Sequence, residues 1–322
     1  MNITIMGSGA FGFSIAMMLR KNGHKIKMWS HSEEQARDLQ NGKLELIPGV
    51  KIPKNIVFTS NYGEALLDAD IVFIMVAAKF VGNIAEGIKP FIKPEMHFCI
   101  GSKGIEQGSC KFVHQIFKDH IKTKNLSVIS GPSFAIDVVN NEPIGFAIAS
   151  ESVKTRNVII KALASDTIKL RPSTDIIGVE LCGSIKNVIA VAAGMLEGLG
   201  YKESTRSFLI VESMHDIKEL IKGLGGKKRT ILSFAGIGDL LLTCTSVKSR
   251  NYSYGILLGQ KDYDGAKQYL ETTTVEGYYT LKSIYTLLRR KKIKMPVIDL
   301  IYKIVMKNED PSLLVNFLIT KK

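Results

Sequence analysis

Lys186 lies in a run of small and apolar residues, a setting in which a lysine can do proton-transfer chemistry. At helical spacing it shares one face with Gly183, Ala190 and Ala193. Burial on such a face would lower the pKa of the amine toward the range in which a group both donates and accepts a proton. A lysine that reaches from a packed helix into solvent would show the same spacing. Because the surrounding residues are apolar, we favour burial and predict Lys186 as a proton donor and acceptor.

A carboxylate, a hydroxyl and a guanidinium follow further along the chain. Asp239 and Thr243 are four residues apart, so on a helix their side chains stand on one face. Ser249 has the form of a helix cap followed by Arg250 and Asn251, and both the free amides of a helix start and an arginine fork bind phosphate. Asp239 also fits a structural place at a helix N-terminus, where the helix dipole favours an acid.

Two loops follow predicted strands in the first half of the chain. Lys103 comes just after the strand at 97–100, and Gly131 and Ser133 come just after the strand at 127–129. Ligands of open α/β sheets bind beyond the carboxyl ends of the strands, so both loops are placed to line a crevice. Lys103 taken alone fits an ordinary surface lysine, and the second loop fits a simple helix start equally well.

Near the N-terminus the glycines follow the spacing G-x-G-x-x-G. The segment follows a predicted strand that begins at Ile3 and opens a predicted helix that ends at Asn22. In this setting the first glycine permits a tight turn, the second admits a pyrophosphate and the third lets the helix pack closely on the strand. The motif therefore predicts a dinucleotide cofactor held by Gly7, Ser8, Gly9, Ala10, Phe11 and Gly12.

The end of the second predicted strand bears on which dinucleotide fits. An acid there would bind the ribose 2′-hydroxyl of NAD, but this chain has Ser30 and His31 in that place. Ser32 and Gln35 have the spacing of a helix capping box. Glu33 and Glu34 are therefore expected in the first turn of that helix rather than in the cofactor site. No carboxylate would then repel a 2′-phosphate. We predict that NADPH is accepted, with NADH also used, and count His31 among the cofactor-binding residues.

These residues need a scaffold, and the chain changes character near Asp175. Before it, short β-branched strands alternate with helical patterns, which indicates βαβ units; after it, long helical patterns follow one another. The predicted fold class is therefore α/β, a Rossmann-like, doubly wound and mainly parallel sheet followed by an all-α C-terminal domain. We expect a dinucleotide-binding domain at 1–178 and a helical substrate-binding, catalytic domain at 179–322.

Composition narrows the function further. The 322 residues are 45% apolar and 23% charged, which speaks against disorder, and the formal net charge of +13 suits anionic ligands. The cysteines form no C-x-x-C pair, so we expect neither a metal site nor a disulfide framework. We therefore expect the protein in the cytoplasm, where thiols stay reduced. Charges interrupt the apolar stretch at 176–199, so no stable membrane insertion is expected. The clusters of basic residues at Lys227-Lys228-Arg229 and Arg289-Arg290-Lys291-Lys292 have no aromatic-rich surface or recognition motif beside them, which disfavours nucleic acid as a partner.

Eight motifs occur in the chain in a fixed order. They are Gly7–Gly12, Lys103-Gly104-Ile105-Glu106, Gly131-Pro132-Ser133-Phe134-Ala135, Lys186-Asn187-Val188-Ile189-Ala190, Gly238-Asp239-Leu240, Thr243-Cys244-Thr245-Ser246, Ser249-Arg250-Asn251 and Val275-Glu276-Gly277. Together they resemble one family over nearly the whole chain, the soluble bacterial type of NAD(P)-dependent glycerol-3-phosphate dehydrogenase. The resemblance implies reversible reduction of dihydroxyacetone phosphate to sn-glycerol 3-phosphate with NADP or NAD, a place in glycerophospholipid synthesis, and a homodimer.

The resemblance also implies roles residue by residue. Lys186 is implied as the general acid/base, Lys103 as the group that holds the substrate oxygens beside it, and Asp239 with Thr243 as the pair that orients Lys186 or the substrate. The phosphate end is implied to lie against Ser249, Arg250 and Asn251. Further contacts are implied for Gly131, Ser133 and Asn187 with the substrate, and for Lys103, Ala135, Arg250 and Glu276 with the cofactor.

Two departures from the family pattern stand out. Ala77-Ala78-Lys79 replaces a turn that commonly contains proline, which puts the geometry of that cofactor-side loop in doubt, and Ala10 stands where serine is usual.

Three other functions remain open. An NADPH-dependent ketoacid reductase such as ketopantoate reductase would not need the arginine grip, a non-catalytic dinucleotide sensor would not need Lys186, and a nucleic-acid binder would show salt-dependent binding.

Overall fold

The computed structural model describes residues 1–43 and 47–321, and the chain divides into two compact units. Unit 1 comprises Met1–Ser102 with Val113–Ile176, and unit 2 comprises Lys103–Phe112 with Ile177–Lys322. The main boundary thus falls two residues before the one expected from the sequence. The segment Lys103–Phe112, expected in the first domain, belongs to unit 2.

Unit 1 is built on a sheet that contains eight strands within the described residues. The strand order is β3-β2-β1-β4-β5-β6-β7-β8, and all neighbours are parallel except the antiparallel pair β6–β7. Together with the helices of the C-terminal half, this sheet confirms the predicted fold class. The strands are β1 (Asn2–Met6), β2 (Lys25–Trp29), β3 (Ile56–Thr59), β4 (Ile71–Ile74), β5 (His97–Ile100), β6 (Leu126–Ser130), β7 (Ile144–Ala149) and β8 (Ile168–Ser173).

The central strands of this sheet are buried along their whole length. Every residue of β4, β5 and β6 is buried, because helices cover both faces of a doubly wound sheet. Continuous apolar runs such as Ile71–Ile74 therefore replace the alternating pattern of a half-exposed strand. The covering helices are α1 (Ala10–Lys21), α2 (Glu33–Gln40), α3 (Tyr62–Leu66), α4 (Val81–Ile88), α5 (Val113–His120), α6 (Ala135–Val139) and α7 (Val153–Leu163).

Several elements of unit 1 differ from the sequence-based expectation, among them the short helix α3, which was not predicted. The helical pattern of the sequence runs from Cys110 to His120 and predicts a helix there, but α5 begins only at Val113, because Cys110 has a φ of 60° that a right-handed helix does not allow. Neither α7 nor β8 was predicted. β8 is charged, half-exposed and contains Pro172, features tolerated because it is the edge strand of the sheet.

Unit 2 is helical around one long buried helix, α8. By length and composition α8 could cross a membrane, but 94% of its most apolar window is buried inside the fold, so it forms a core helix. The polar α12 was not predicted. The helices of the unit are α8 (Ile176–Gly198), α9 (Glu203–Gly223), α10 (Asp239–Cys244), α11 (Arg250–Gly259), α12 (Tyr263–Thr272), α13 (Glu276–Lys291), α14 (Pro296–Lys307) and α15 (Leu313–Thr320).

Candidate active site

Lys186 is buried on α8 and joins a polar cluster inside unit 2. Only 8% of the residue is exposed. Its Nζ donates to Thr243 Oγ1 at 2.7 Å and lies 3.0 Å from Asp239 Oδ1. A protonated amine has three N–H donors, so one remains after these two contacts. The structure thus places the predicted lysine in an apolar surrounding with one donor to offer.

Asp239 is the centre of the cluster because each of its carboxylate oxygens holds one lysine. Oδ2 accepts from Lys103 Nζ at 2.6 Å, and Oδ1 faces Lys186. The Thr243 hydroxyl donates to the main-chain carbonyl of Asp239 at 2.6 Å while it accepts from Lys186. The four residues that the sequence analysis assigned to catalysis therefore meet in one network. We call Lys103, Lys186, Asp239 and Thr243 the lysine–aspartate cluster.

Burial is the main influence on the charge of Lys186. The pKa of Lys186 is lowered to about 8, mainly by desolvation and also by the neighbouring charge of Lys103, while the carboxylate of Asp239 acts in the opposite direction. Desolvation acts in this direction because it disfavours the charged amine. The resulting pKa lies near neutral pH, the range that suits proton exchange with a substrate oxygen.

Local backbone features bring Asp239 and Lys103 to this position. The backbone kinks at Gly236, within Phe234–Gly238 just before α10, and a side chain on Gly236 would overlap the carbonyl oxygen of Ile231. Asp239 is then the first residue of α10, where the helix dipole favours a carboxylate. Lys103 opens a loop closed by a bridge between Ile105 and Phe112.

The two predicted asparagines bond to each other rather than standing apart. Asn251 Nδ2 donates to Asn187 Oδ1 at 3.0 Å, and Asn251 Oδ1 accepts from the main-chain N–H of Gly277 at 2.8 Å. One side chain thus joins α8, α11 and the start of α13. The amide nitrogen of Asn187 is left to donate elsewhere.

Ser249 and Arg250 start α11 in the expected manner. Ser249 is the N-cap, and its hydroxyl accepts from Tyr252 N at 3.3 Å. Arg250 is the first helical residue and is exposed, with no ion pair to the described part of the chain. A free guanidinium at a helix start is a setting that binds phosphate or carboxylate.

In unit 1 the glycine loop has the shape that the motif predicted. Gly7 has a φ of 118°, and a side chain there would come within 2.8 Å of the carbonyl oxygen of Met75. A Cβ on Gly12 would lie 2.5 Å from the oxygen of Gly7, whereas a Cβ on Gly9 would meet nothing within 4 Å. The space in front of Gly9, the N-cap of α1, is therefore open for a phosphate group.

The end of β2 also matches its predicted geometry. Ser32 caps α2 and accepts from Gln35 N at 3.1 Å, which puts both glutamates in the first helical turn. Ser30 is fully buried and its hydroxyl has no hydrogen-bond partner among the residues that the structure describes, while His31 is exposed. A buried hydroxyl without a partner at the end of β2 suits a site in which a bound polar ligand supplies the missing hydrogen bond.

The remaining predicted residues fall in both units. Gly131, Ser133 and Ala135 lie in unit 1, where Ser133 Oγ donates to the Gly131 carbonyl at 3.2 Å and α6 begins at Ala135. Glu276 is the first residue of α13 in unit 2. At the departure from the family turn, Ala77 has a φ of −59°, which proline would also adopt. The backbone there keeps a proline-compatible form.

Sequence reasoning missed a second buried polar group in unit 2. The Tyr252 hydroxyl donates to Glu197, whose carboxylate also pairs with Arg206 at 3.0 Å. Burial and the carboxylate both raise the pKa of Tyr252. The three residues are spread over α8, α9 and α11 and have no motif spacing, so nothing in the sequence indicated their contact.

Comparison with known proteins gives a consistent result over both units. Two family models match, the NAD-dependent glycerol-3-phosphate dehydrogenase N-terminus over residues 2–156 and the corresponding C-terminus over residues 175–316. A glycerol-3-phosphate dehydrogenase [NAD(P)+] of Geobacillus thermodenitrificans is 33% identical across 99% of this chain and 95% of its own.

Comparison with solved structures also finds a member of this family among the similar folds. The crystal structure of glycerol-3-phosphate dehydrogenase from Coxiella burnetii superimposes with a TM-score of 0.93 and 29% identity, covering 99% of both chains. A ketopantoate reductase from Ralstonia eutropha superimposes with a TM-score of 0.62 and 14% identity, over 99% of this chain and 100% of its own, and shares the fold alone.

Proposed function

This chain belongs to the NAD-dependent glycerol-3-phosphate dehydrogenase family, and on that premise we propose that it reversibly reduces dihydroxyacetone phosphate to sn-glycerol 3-phosphate. Membership confirms the predicted resemblance and the enzyme class, an NAD(P)-dependent oxidoreductase. The observation that carries the proposed chemistry is the buried Lys186, which shares two donors with Asp239 and Thr243 and keeps the third.

In the proposed mechanism Lys186 is the general acid/base. It donates the proton of its third N–H to the ketone oxygen during reduction, and takes that proton back from the alcohol during oxidation. A pKa near 8 lets the amine occupy both states around neutral pH. The contacts with Asp239 and Thr243 hold Nζ in one orientation, so that its third N–H points in a fixed direction toward the substrate oxygen.

Lys103 and Asp239 support this transfer by charge. Lys103 shares the carboxylate of Asp239 with Lys186, and its remaining N–H groups can hold a substrate oxygen. A cation beside the carbonyl stabilises the negative charge that develops on the oxygen in the transition state. Asp239 holds both amines in place, and so acts through them.

The phosphate end is assigned to the start of α11. Arg250 offers an unpaired fork, and the first-turn amides behind the Ser249 cap add donors. Asn187 retains its amide N–H groups for the substrate. Asn251 uses its oxygen on Gly277 and one donor on Asn187, so we assign it mainly to hold the helices, with at most one N–H left for the substrate.

The residues of unit 1 fit a bound dinucleotide. The open space at Gly9, the orphaned hydroxyl of Ser30 and the absence of a carboxylate at His31 suit the pyrophosphate and either form of the ribose. When bound, the reduced nicotinamide supplies the hydride that the carbonyl carbon receives. We propose that unit 1 holds the cofactor and unit 2 the substrate.

The direct test is oxidation of NADPH and of NADH by the purified protein, with dihydroxyacetone phosphate or a non-phosphorylated 2-ketoacid as the second substrate. We expect turnover with the triose phosphate and acceptance of NADPH. Faster turnover of the ketoacid would replace the proposed function by ketoacid reduction. A strong preference for NADH in catalytic efficiency would contradict the argument from Ser30 and His31.

The cellular role rests on the resemblance alone. We propose that the product enters glycerophospholipid synthesis in the cytoplasm and that the protein acts as a homodimer without nucleic acid or membrane partners. Light scattering of the purified protein measures the subunit number. A monomer at assay concentration would contradict the dimer without bearing on the reaction.

A further inference from the structure

Helices α8 and α11 touch along a seam that begins at the proposed substrate site. The first contact is the Asn187–Asn251 hydrogen bond, between residues 64 apart in sequence. A side chain added at Gly255 would overlap the carbonyl oxygen of Val191, and one at Gly259 would overlap that of Met195. These two pairs are also 64 residues apart, so the helices run side by side in the same sense.

The seam is a contact between backbones because both helices carry glycine there. A Cβ on Gly194 would lie 3.0 Å from the Cα of Gly255, and a Cβ on Gly198 would lie 2.9 Å from the Cα of Gly259. No side chain separates the helices, so their distance cannot be adjusted by rotating one. Glycines spaced by four residues, here 194 with 198 and 255 with 259, are typical of such close packing.

The same register extends to the residues assigned to the two ends of the substrate. Lys186 and Arg250 each stand one residue before the asparagine pair, and so are themselves 64 residues apart. One turn further lies Gly255, and two turns further lies Gly259. The helix pair that the glycines hold together therefore carries both Lys186, on α8, and Arg250, on α11.

We propose that the seam glycines are positioning residues, which fix the distance from Lys186 to Arg250 at the span of a three-carbon phosphate. The inference rests on the proposed function, because it needs a substrate with a ketone at one end and a phosphate at the other. A displacement of about 1 Å at a reacting group can lower the rate by ~10²-fold, so a small separation of the helices has a large effect.

Two alanine variants form a matched test. Gly255→Ala and Gly259→Ala introduce the same overlap with a carbonyl of α8 on the same helix, but at one and two turns from Asn251. Each is assayed with dihydroxyacetone phosphate and with dihydroxyacetone, which lacks the group that Arg250 would hold. Gly82→Ala on α4, where a Cβ would make an ordinary contact of 3.4 Å with Ile116, controls for the substitution itself.

We expect Gly255→Ala to lower kcat/KM for dihydroxyacetone phosphate by ~10²-fold and that for dihydroxyacetone by less than about threefold. Gly259→Ala should give a smaller loss, about tenfold, with the same selectivity, and Gly82→Ala should leave both unchanged. Equal losses with both substrates would reduce the seam to a structural role and overturn the proposal. If Gly255→Ala does not fold, Gly259→Ala, at the last residue of α11, must still show the selective loss.

Wild-type kinetics separate this inference from the proposed function. A wild-type protein that ignores dihydroxyacetone phosphate would contradict the function itself. A wild-type protein that reduces it, with variants that lose both substrates alike, would contradict only the seam.

Discussion

The glycine loop of unit 1 and the lysine–aspartate cluster of unit 2 are built in opposite ways. The loop works through the absence of side chains, since Gly7 and Gly12 are each in contact with main-chain oxygens that a Cβ would displace. The cluster works through side chains of opposite charge, with Asp239 between two lysines. The first presents main-chain amides to an anion, and the second holds a cation inside an apolar core.

The difference also concerns how each feature is assembled. The loop consists of consecutive residues between β1 and α1, so its geometry is local. Lys103 and Asp239 are 136 residues apart, and Lys186 and Thr243 are 57 apart, so the cluster exists only once unit 2 has folded. A change in the loop should therefore affect ligand binding or local packing, whereas a change in the cluster should affect both chemistry and folding.

The largest effect is expected from removing the proposed proton donor. Lys186→Met keeps the length and apolar body of the side chain and removes the amine. Turnover of dihydroxyacetone phosphate should fall by ~10³-fold, about 4 kcal/mol in activation free energy, with cofactor affinity unchanged. Steady-state kinetics and cofactor titration measure the two quantities. Lys218→Ala, an exposed lysine on α9, is the control, and undiminished turnover in Lys186→Met would remove Lys186 from the chemistry.

The next effect concerns the stability that Asp239 provides. Asp239→Asn removes the anion between two partly or wholly buried lysines, and leaving a buried charge unpaired costs about 3 kcal/mol of the free energy of unfolding. Urea unfolding measures the loss. Asp310→Asn is a matched control, because Asp310 meets Lys261 at the same 2.6 Å but on the exposed surface, where such pairs contribute little. Similar losses of unfolding free energy in both variants would show that burial of the cluster does not increase the contribution of its ion pairs to stability.

The loop could be predicted from the sequence because its determinants are local. The glycine spacing at Gly7–Gly12, a strand before it and a helix after it together specify one backbone geometry. Burial of Lys186 was also predictable, since every neighbour at helical spacing is small or apolar. Apart from its edge strand β8, the sheet followed from the alternation of strands and helices.

The contacts between distant segments could not be predicted in the same way. The family resemblance implied that Lys103, Lys186 and Asp239 act together, but sequence spacing does not show how Lys103 comes to lie beside Asp239. β8 was missed because its charges and Pro172 are allowed only at a sheet edge, and the edge is known only when the whole sheet is known. The seam glycines recur at a spacing of four residues, but that spacing alone does not identify the partner helix.

Two substitutions within the loop should separate ligand binding from packing. Gly9→Ala adds a methyl group where nothing lies within 4 Å, so the free energy of unfolding should not fall, but the methyl occupies the space for the pyrophosphate. NADPH affinity should weaken by about 2 kcal/mol, roughly 30-fold. Gly12→Ala forces a Cβ to 2.5 Å from the Gly7 oxygen and should instead destabilise unit 1. Calorimetric titration measures the NADPH affinity and thermal unfolding measures the stability. If both variants lost affinity and stability to the same extent, the separation of binding from packing would be contradicted.

The smallest effect is the pH dependence of the two directions of reaction. Reduction needs protonated Lys186 and oxidation needs the neutral amine, so above a pH of about 8 kcat/KM for ketone reduction should fall about tenfold per pH unit. For alcohol oxidation kcat/KM should rise up to that pH and then level. Asp239→Asn removes the anion that raises the pKa of Lys186, so both limbs should move to lower pH. Limbs that stay in place in Asp239→Asn would mean that the titrating group is not held by Asp239, and the cluster would then act through position rather than charge.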